Sequence, residues 1–328
     1  MKRIGLGLAV LLIIVMVIPA TITLFTPKQP EVSLPDNPPP STLESPIDVS
    51  VYRTESKKVE SYPIEEYIVG VLSAEMPADF ELEALKAQAM AARTYIVRRL
   101  ASKDFKDVPE GAQVTDTVQH QVFLDDQQRR EAWGTDYSWK IQRVRQAVAE
   151  TQGKVLTFDG KPIDATFFST SNGYTENSEE YWASEIPYLR SVEVPWDKAS
   201  PKYQGTNTFS IADVEKKLGV KIAVTASAPN AWYKVVERTT GNRIGKIQIG
   251  EKTFTGKEIR EKLGLPSTSF EWSMKNGKLA VTTYGYGHGV GMSQWGAHGM
   301  AQSGKTANDI VQYFYQGIAI EDYDQWVQ

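Results

Sequence analysis

The sequence predicts an α+β fold, with helices mixed with mostly antiparallel sheet, in one domain or in two lobes that flank a cleft. Glu81 to Leu100 is rich in alanine, a strong helix former, and predicts a long helix. Ile47 to Tyr52 alternates apolar and polar residues, as a half-buried strand does. Apolar runs flank Asp159-Gly160, a pair typical of the turn in an antiparallel hairpin. A chain of 328 residues is long enough for either one domain or two.

The N-terminus predicts a membrane anchor. Lys2 and Arg3 precede an apolar run from Ile4 to Phe25, which is about as long as a helix that spans a hydrocarbon core. Basic residues before such a run place this end of the chain in the cytoplasm. We therefore expect residues 1–25 to form a single-pass signal-anchor helix. A cleaved signal peptide is the alternative.

The chain changes composition twice after this run. Residues 26–46 are rich in proline, which favours a semi-extended linker between the membrane and the folded part. Aromatic and β-branched residues become frequent after Ile47. We therefore expect an extracytoplasmic domain at residues 47–328.

Composition argues against several kinds of partner and site. The formal net charge is −4 and no basic tract stands out, so nothing indicates a nucleic-acid partner. The chain has no cysteine, which excludes a disulfide framework and a thiolate metal site.

Glu75 is the first candidate catalytic residue. A helix beginning at Pro63 carries an apolar stripe made of Ile64, Tyr67, Ile68, Val71 and Leu72. Glu75 follows Ile64 by eleven residues, which returns it to the same face at roughly 100° per residue. Burial and the helix C-terminus both raise the pKa of a carboxyl, as a general acid requires. The alternative is that Glu75 bends outward where the helix ends before Pro77.

Lys86 and Arg93 lie seven residues apart on one face of the long helix. Long basic side chains usually form a solvated edge. The alternative is that one of them orients Glu75 or a substrate, since charged partners cluster at functional sites.

Shorter patterns predict the remaining elements. The hairpin leads into the polar loop Ser169–Tyr174, where a hydroxyl-rich turn or a binding loop fits equally. Its serines have no neighbouring base, so a serine nucleophile is not expected. The other elements are helices at Tyr137–Glu150, Ile211–Leu218 and Gly256–Leu263, and strands at Lys154–Phe158, Ile163–Phe168 and Ile244–Ile249.

Four glycines alternate with larger residues in Gly285–Gly291, just before a predicted helix at Ser293–Gln302. Such glycines let the backbone bend tightly or meet a ligand closely, but the stretch lacks the pattern of a phosphate-binding loop. His288 within it could carry a proton or bind a ligand, or it could fix the backbone by hydrogen bonds. Trp295 and the tyrosines could stack on sugar rings or belong to the core.

Four segments together resemble the sporulation lytic transglycosylase and amidase-enhancer family. They lie between Ser61 and Ala301 and read PIEEYIVGVLSAEMP, EALKAQAMAARTY, TFFSTSNGYTE and YGYGHGVGMSQWGAHGMA. The resemblance implies a peptidoglycan lytic transglycosylase that acts in engulfment during sporulation. Such an enzyme cuts the bond between N-acetylmuramic acid (MurNAc) and N-acetylglucosamine (GlcNAc) in peptide-stripped glycan strands. It leaves 1,6-anhydroMurNAc ends.

The same resemblance implies partners and a location. The partners would be stage II sporulation protein P, an amidase, and stage II sporulation protein M. The location would be the septal and engulfing membrane, with the catalytic domain outside the cytoplasm. A non-enzymatic amidase enhancer, which binds wall material or the amidase, is the alternative function.

The family's catalytic glutamate falls on Glu75. A lytic transglycosylase needs one carboxyl, which protonates the leaving oxygen and then helps the sugar's own 6-hydroxyl attack. We expect the three separated motifs to converge around Glu75 in a glycan-binding cleft. The candidate substrate-binding residues are Lys86, Arg93, Ser169, Ser171, Tyr174, His288, Ser293 and Gln294.

No metal or other cofactor is expected. Some relatives resemble zinc proteins with a Cys-Asp-x-x-His-Cys pattern, and the corresponding stretch here is Thr115–His120. Both cysteines are replaced, and the remaining His and Asp do not form a convincing four-ligand set.

Overall fold

The computed structural model describes residues 43, 45, 47–222, 232–275 and 277–327. The predicted anchor, residues 1–25, and nearly all of the predicted linker lie outside the described residues. Within the part of the chain that is described, no helix has the length and apolar character of a membrane span.

The described chain is an α+β fold, as the sequence predicts. Its helices are α1 Ile64–Glu75, α2 Leu82–Ser102, α3 Asp126–Trp133, α4 Tyr137–Glu150, α5 Ser178–Tyr181, α6 Ile211–Leu218, α7 Gly256–Leu263, α8 Gln294–Gln302 and α9 Ala307–Phe314. Short 3₁₀ turns lie at Gly134–Asp136, Pro195–Ala199 and Tyr323–Gln325.

Small sheets, mostly antiparallel, connect these helices. They have the orders β2-β1-β3, β14-β4-β5, β13-β6, β10-β9-β8 and β11-β12-β7. The strands are β1 Asp48–Arg53, β2 Lys58–Pro63, β3 Val114–Thr115, β4 Lys154–Phe158, β5 Lys161–Pro162, β6 Phe167–Phe168, β7 Gln204–Phe209, β8 Tyr233–Arg238, β9 Ile244–Ile249, β10 Lys252–Thr255, β11 Ser269–Lys275, β12 Lys278–Tyr284, β13 Met292–Ser293 and β14 Ala319–Asp322.

Helix α2 forms the centre of the main core. It packs against α1, α4, β4, α8 and α9. The predicted alanine positions are all buried, so the neighbouring helices approach α2 closely; they are Ala84, Ala87, Ala89, Ala91 and Ala92. The sequence prediction for this helix is therefore confirmed.

A second, smaller core lies in the segment from about residue 204 to residue 284. Its buried residues come from α6, α7 and the sheets β10-β9-β8 and β11-β12-β7, and include Val214, Ile259 and Trp272. The helices Ile211–Leu218 and Gly256–Leu263 and the strand Ile244–Ile249 of this segment have the predicted bounds.

The hairpin prediction needs one correction. Asp159 and Gly160 both have positive φ and form the predicted turn. The strand expected at Ile163–Phe168, however, is shortened to Phe167–Phe168, and the return strand of the hairpin is Lys161–Pro162. Lys161-Pro162 pairs with β4, whereas Phe167-Phe168 pairs in parallel with Met292-Ser293. Proline at 162 gives no N–H to a ladder, which is consistent with a return strand of only two residues.

Candidate functional site

Glu75 is the last residue of α1, and the chain turns to an extended conformation at Met76 because Pro77 follows. Its side chain is half-buried. The backbone N–H of Val122 donates to Glu75 Oε1 over 3.3 Å. Burial raises the pKa of Glu75, and the hydrogen bond from Val122 partly opposes that rise. The direction of this shift is the one that the helical spacing predicts.

The main chain of Glu75 is held from the opposite end of the sequence. Gln294 Nε2 donates to the carbonyl oxygen of Glu75 over 2.9 Å and lies 3.5 Å from Gln88 Oε1. Gln88 is fully buried, and its own Nε2 has no partner among the described residues. These three residues connect the ends of α1 and α8 to the middle of α2.

The polar loop after β6 lies beside the start of α8. The backbone N–H of Trp295 donates to the carbonyl oxygen of Ser169 over 3.1 Å. The parallel pairing of Phe168 with Ser293 brings the two segments together. Three of the separated motifs therefore meet near Glu75 through Gln294 and Ser169.

Asp197 connects two of the predicted polar residues. Its carboxylate accepts the N–H of Ser171 over 2.5 Å and the hydroxyl of Ser293 over 2.7 Å. All three side chains are buried, and burial raises the pKa of Asp197 to about 6. Ser171 and Ser293 thus hold the loop against α8 through an acid that carries no sequence motif.

Known proteins resemble this chain over most of its length. Stage II sporulation protein D of Bacillus subtilis (strain 168) is 50% identical over 283 residues, which cover 86% of this chain and 81% of that protein. The protein of the same name from Bacillus amyloliquefaciens is 49% identical over 288 residues, with 88% and 83% covered. This chain belongs to the stage II sporulation protein D family.

Two further similarities bear on function. A family model described as stage II sporulation protein matches residues 52–158, a range that includes Glu75, Gln88 and Val122. A Bacillus subtilis protein named amidase enhancer is 28% identical over 312 residues, which cover 77% of this chain and 40% of that protein.

Arg93 has neither of the environments that the sequence predicts, a solvated edge or a position beside Glu75 or a substrate. In this member of the stage II sporulation protein D family it is fully buried, and its guanidinium donates to Glu65 over 3.0 Å and 2.6 Å. It also donates to the carbonyl oxygens of Lys154 and Val148. Arg93 is therefore neither a solvated edge nor exposed to a ligand, and it joins α1, α2, α4 and β4.

Lys86 also binds other partners. It is half-buried and pairs with Glu83 over 2.6 Å and with Glu150. Both carboxylates raise the pKa of Lys86 against the opposing effect of burial. Its described contacts join α2 to α4.

His288 packs in an aromatic group instead of pairing with an acid. Its ring lies 5.3 Å from Trp182 and 5.5 Å from Phe168. Nδ1 accepts the N–H of Val290 over 3.1 Å. Burial, with Arg260 and Arg243 nearby, lowers the pKa of His288 to about 4. These contacts fit the backbone-fixing interpretation.

The glycines around His288 are required by close packing. A Cβ on Gly291, where φ is +80°, would lie 2.1 Å from the carbonyl oxygen of Thr166. A Cβ on Gly289 would lie 2.6 Å from the guanidinium of Arg243. Tyr174, the remaining candidate of the polar loop, is 40% exposed and pairs through its backbone with Glu193.

The stretch aligned with the zinc pattern has its own hydrogen bonds. His120 contacts Thr115 and Asp107. Within the described ranges, no three His, Asp or Glu side chains gather as a metal site would require.

Sequence reasoning missed several residues of the site. Gln88 carried a usable signal, because it is a polar side chain inside the alanine-rich face of α2. Val122 acts through its backbone, and Asp197 follows Pro195-Trp196 without a motif, so no sequence signal marked either residue.

Proposed function

We propose that this domain is a peptidoglycan lytic transglycosylase in which Glu75 is the general acid. Membership of the stage II sporulation protein D family establishes a role in sporulation. The observation that carries the enzymatic proposal is the half-buried Glu75 carboxyl, whose pKa is raised and whose main chain is hydrogen-bonded to Gln294 of the glycine-rich segment. Burial raises the pKa of this carboxyl, which favours its protonated form, and a protonated carboxyl can donate to a glycosidic oxygen.

The proposed reaction uses one carboxyl in two steps. Glu75 gives its proton to the oxygen that joins MurNAc C1 to the next GlcNAc, and that C–O bond breaks with its electron pair on the leaving oxygen. The Glu75 carboxylate then accepts the proton of the MurNAc 6-hydroxyl as O6 bonds to C1. The products are a free GlcNAc 4-hydroxyl and a 1,6-anhydroMurNAc end, and Glu75 returns to its protonated form.

The surroundings of Glu75 suit both steps. Burial favours the neutral acid before proton transfer. The Val122 N–H favours the carboxylate that forms afterwards, since hydrogen bonds to ionised acceptors are the stronger ones. Gln294 holds the peptide unit of Glu75, so the carboxyl starts from a fixed backbone.

Product analysis tests the proposal. The purified full chain and its Glu75→Gln variant are incubated with peptide-free glycan strands, and the products are identified by mass spectrometry. Glu131→Gln, the same chemical change on an exposed part of α3, is the matched control. We expect 1,6-anhydroMurNAc ends from the unaltered chain and from the control alone. Reducing MurNAc ends would indicate a hydrolase, and no cleavage by the folded chain would contradict an enzyme.

A second candidate function is non-enzymatic activation of an amidase. The relative named amidase enhancer favours it. Tyr174 and Tyr286 are exposed and offer rings on which sugars could stack. In an assay of amidase rate with and without this chain, an activator would be equally effective with Glu75→Gln, whereas an effect that depends on glycan cleavage would be lost.

We also propose the location and the partners that the family resemblance implies. The chain would be held in the septal and engulfing membrane by residues 1–25, and it would assemble with stage II sporulation proteins P and M. Extraction of membranes with alkaline carbonate tests the anchor, since a spanning chain stays in the membrane fraction. Co-purification of each tagged partner with the full chain tests the assembly.

A further inference from the structure

The loop that contacts Glu75 connects β3 to α3. It begins beside Tyr52, which pairs with Thr115 in a parallel ladder and accepts the N–H of Asp116 over 3.3 Å. Six residues after Asp116 the loop reaches Val122, whose N–H donates to the Glu75 carboxyl. The position of this donor therefore depends on what holds the loop between residues 116 and 122.

His120 is one of the buried side chains of that loop. Its side chain is only 1% exposed. Nδ1 lies 3.2 Å from the N–H of Thr115, which is a donor, so Nδ1 is an acceptor and Nε2 carries the ring proton. Nε2 then donates to Asp107 Oδ2 over 3.1 Å. The two ring nitrogens thus connect the start of the loop to the segment that follows α2.

Asp107 is itself held by α2. Arg99 donates to Asp107 Oδ1 over 2.5 Å, and Arg99 Nε donates to the carbonyl oxygen of Gln113 over 2.5 Å. Burial and the nearby Arg99 lower the pKa of His120. His120 is therefore neutral near pH 7, which is the state that its hydrogen bonds require.

The other side of Val122 is fixed by packing. The ring of Phe123 lies on Gly70 of α1, and the N–H of Leu124 donates to the Gly70 carbonyl oxygen. Gln121 accepts the hydroxyl of Tyr67 over 3.2 Å. Val122 thus lies between an anchor on α1 and the hydrogen bonds of His120.

We propose that His120 is a positioning residue that aligns the Val122 N–H with the Glu75 carboxyl. The inference rests on the proposed function of Glu75 and deepens it. A hydrogen bond to the carboxyl is stronger when the carboxyl is ionised, so its loss raises the pKa of Glu75. Loss of this hydrogen bond also slows the step in which the Glu75 carboxylate forms.

Among the described residues, few other charged groups influence the pKa values of His120 and Glu75. Arg99 and Asp107 are the charged groups that act on His120. Tyr67, on the same helix as Glu75, is the titratable group whose pKa is sensitive to the Glu75 charge, and burial raises that pKa well above its usual value. Tyr67 is therefore neutral over the pH range of the test.

The test measures the Glu75 pKa directly in the full chain. Glutamate side chains are labelled with ¹³C, and the Glu75 signal is assigned by its absence in Glu75→Gln. His120→Ala removes both ring contacts, and His120→Gln can keep a donor to Asp107. Lys106→Ala, a change at an exposed side chain in the same region, is the control. Asp107→Ala breaks the Nε2 contact from an exposed position and is available if the His120 variants fail to fold.

We expect the Glu75 pKa to rise in His120→Ala, to rise less in His120→Gln and to stay unchanged in Lys106→Ala. With peptide-free glycan, kcat should fall roughly tenfold in His120→Ala while KM changes little, which is the effect of losing one hydrogen bond of about 1.4 kcal/mol. An unchanged Glu75 pKa in a folded His120→Ala or Asp107→Ala variant would overturn the inference. A shifted pKa without glycan cleavage by the unaltered chain would refute the proposed function and leave the positioning role standing.

Discussion

Gln294 donates its side-chain amide to the main-chain carbonyl of Glu75, across a sequence separation of 219 residues. Glu75 ends α1, where the last carbonyls of a helix have no partner within the helix. The side chain at the start of α8 supplies one. The hydrogen bond fixes the peptide unit from which the carboxyl projects, so the glycine-rich segment and the glutamate segment are physically joined.

Gln294→Ala should therefore reduce activity more than stability. Loss of one part-buried hydrogen bond costs about 1 kcal/mol of unfolding free energy, whereas misplacement of the acid lowers kcat about tenfold. The measurements are urea unfolding and the rate of 1,6-anhydroMurNAc formation. Gln302→Ala, an exposed glutamine at the end of the same helix, is the control. Equal losses of activity in Gln294→Ala and Gln302→Ala would show that the hydrogen bond from Gln294 does not control the position of Glu75.

The raised pKa of Glu75 predicts a pH dependence with a definite sign. The folded state holds this proton more tightly than the unfolded state, whose pKa is near 4.5. Stability from this group is therefore fully present below the unfolded pKa and is lost as the pH rises through the folded pKa. Activity that needs protonated Glu75 should also fall as the pH rises through the pKa of Glu75 in the folded state.

Glu75→Gln removes the cost of ionising a half-buried carboxyl, so it should be more stable than the unaltered chain at pH 7, while being inactive. The difference in unfolding free energy between the two should shrink as the pH is lowered towards 4. Urea unfolding at several pH values measures both. If Glu75→Gln is less stable than the unaltered chain at pH 7, the folded protein stabilises the Glu75 carboxylate. The pKa of Glu75 is then not raised, and the residue is not suited to act as a general acid.

The regular elements could be predicted from sequence, but several polar partners could not. Tyr137–Glu150 and Ile244–Ile249 have the predicted bounds because periodicity and turn residues act over a few neighbours. Glu75 stood out because its helical position conflicts with its charge. The contacts of Val122 and Asp197 depend on segments far away in sequence, and nothing local records them.

Arg93 illustrates the same limit in a single pair. Its partner Glu65 lies 28 residues away on another helix, and both side chains are fully buried. A basic residue on a helix is usually solvated, so the sequence favoured a surface edge or a site. Only the packing of α1 against α2 reveals the ion pair.

Arg93→Met should destabilise the fold by about 3–5 kcal/mol, because it leaves the Glu65 carboxylate buried without its cation. Removing both charges, in Arg93→Met with Glu65→Gln, should recover part of that loss. Urea unfolding of the single and double variants measures the coupling. Lys86→Met is the control, since Lys86 is half-buried and its pairs are more exposed. An equally small effect of both single changes would contradict the structural importance of the buried pair.

The loop that carries Val122 packs closely against α1 at Gly70. A Cβ at residue 70 would lie 2.2 Å from the ring of Phe123 and 2.8 Å from the carbonyl oxygen of Leu124. Gly70→Ala must therefore push the loop away from α1, although alanine is the better helix former. We expect a loss of about 1–3 kcal/mol in unfolding free energy, the usual cost of overpacking.

The displacement should also reach Glu75, because Val122 precedes the displaced Phe123. We expect kcat on peptide-free glycan to fall and the Glu75 pKa to rise in Gly70→Ala, the same direction as for His120→Ala. Gly205→Ala is the control, since a Cβ there meets only the Thr283 hydroxyl at 3.8 Å. Restoration of activity by pairing Gly70→Ala with Phe123→Leu, a smaller side chain, would show that the effect passes through this contact. If Gly70→Ala destabilises the fold and yet leaves the Glu75 pKa unchanged, the loop does not control the acid from this side.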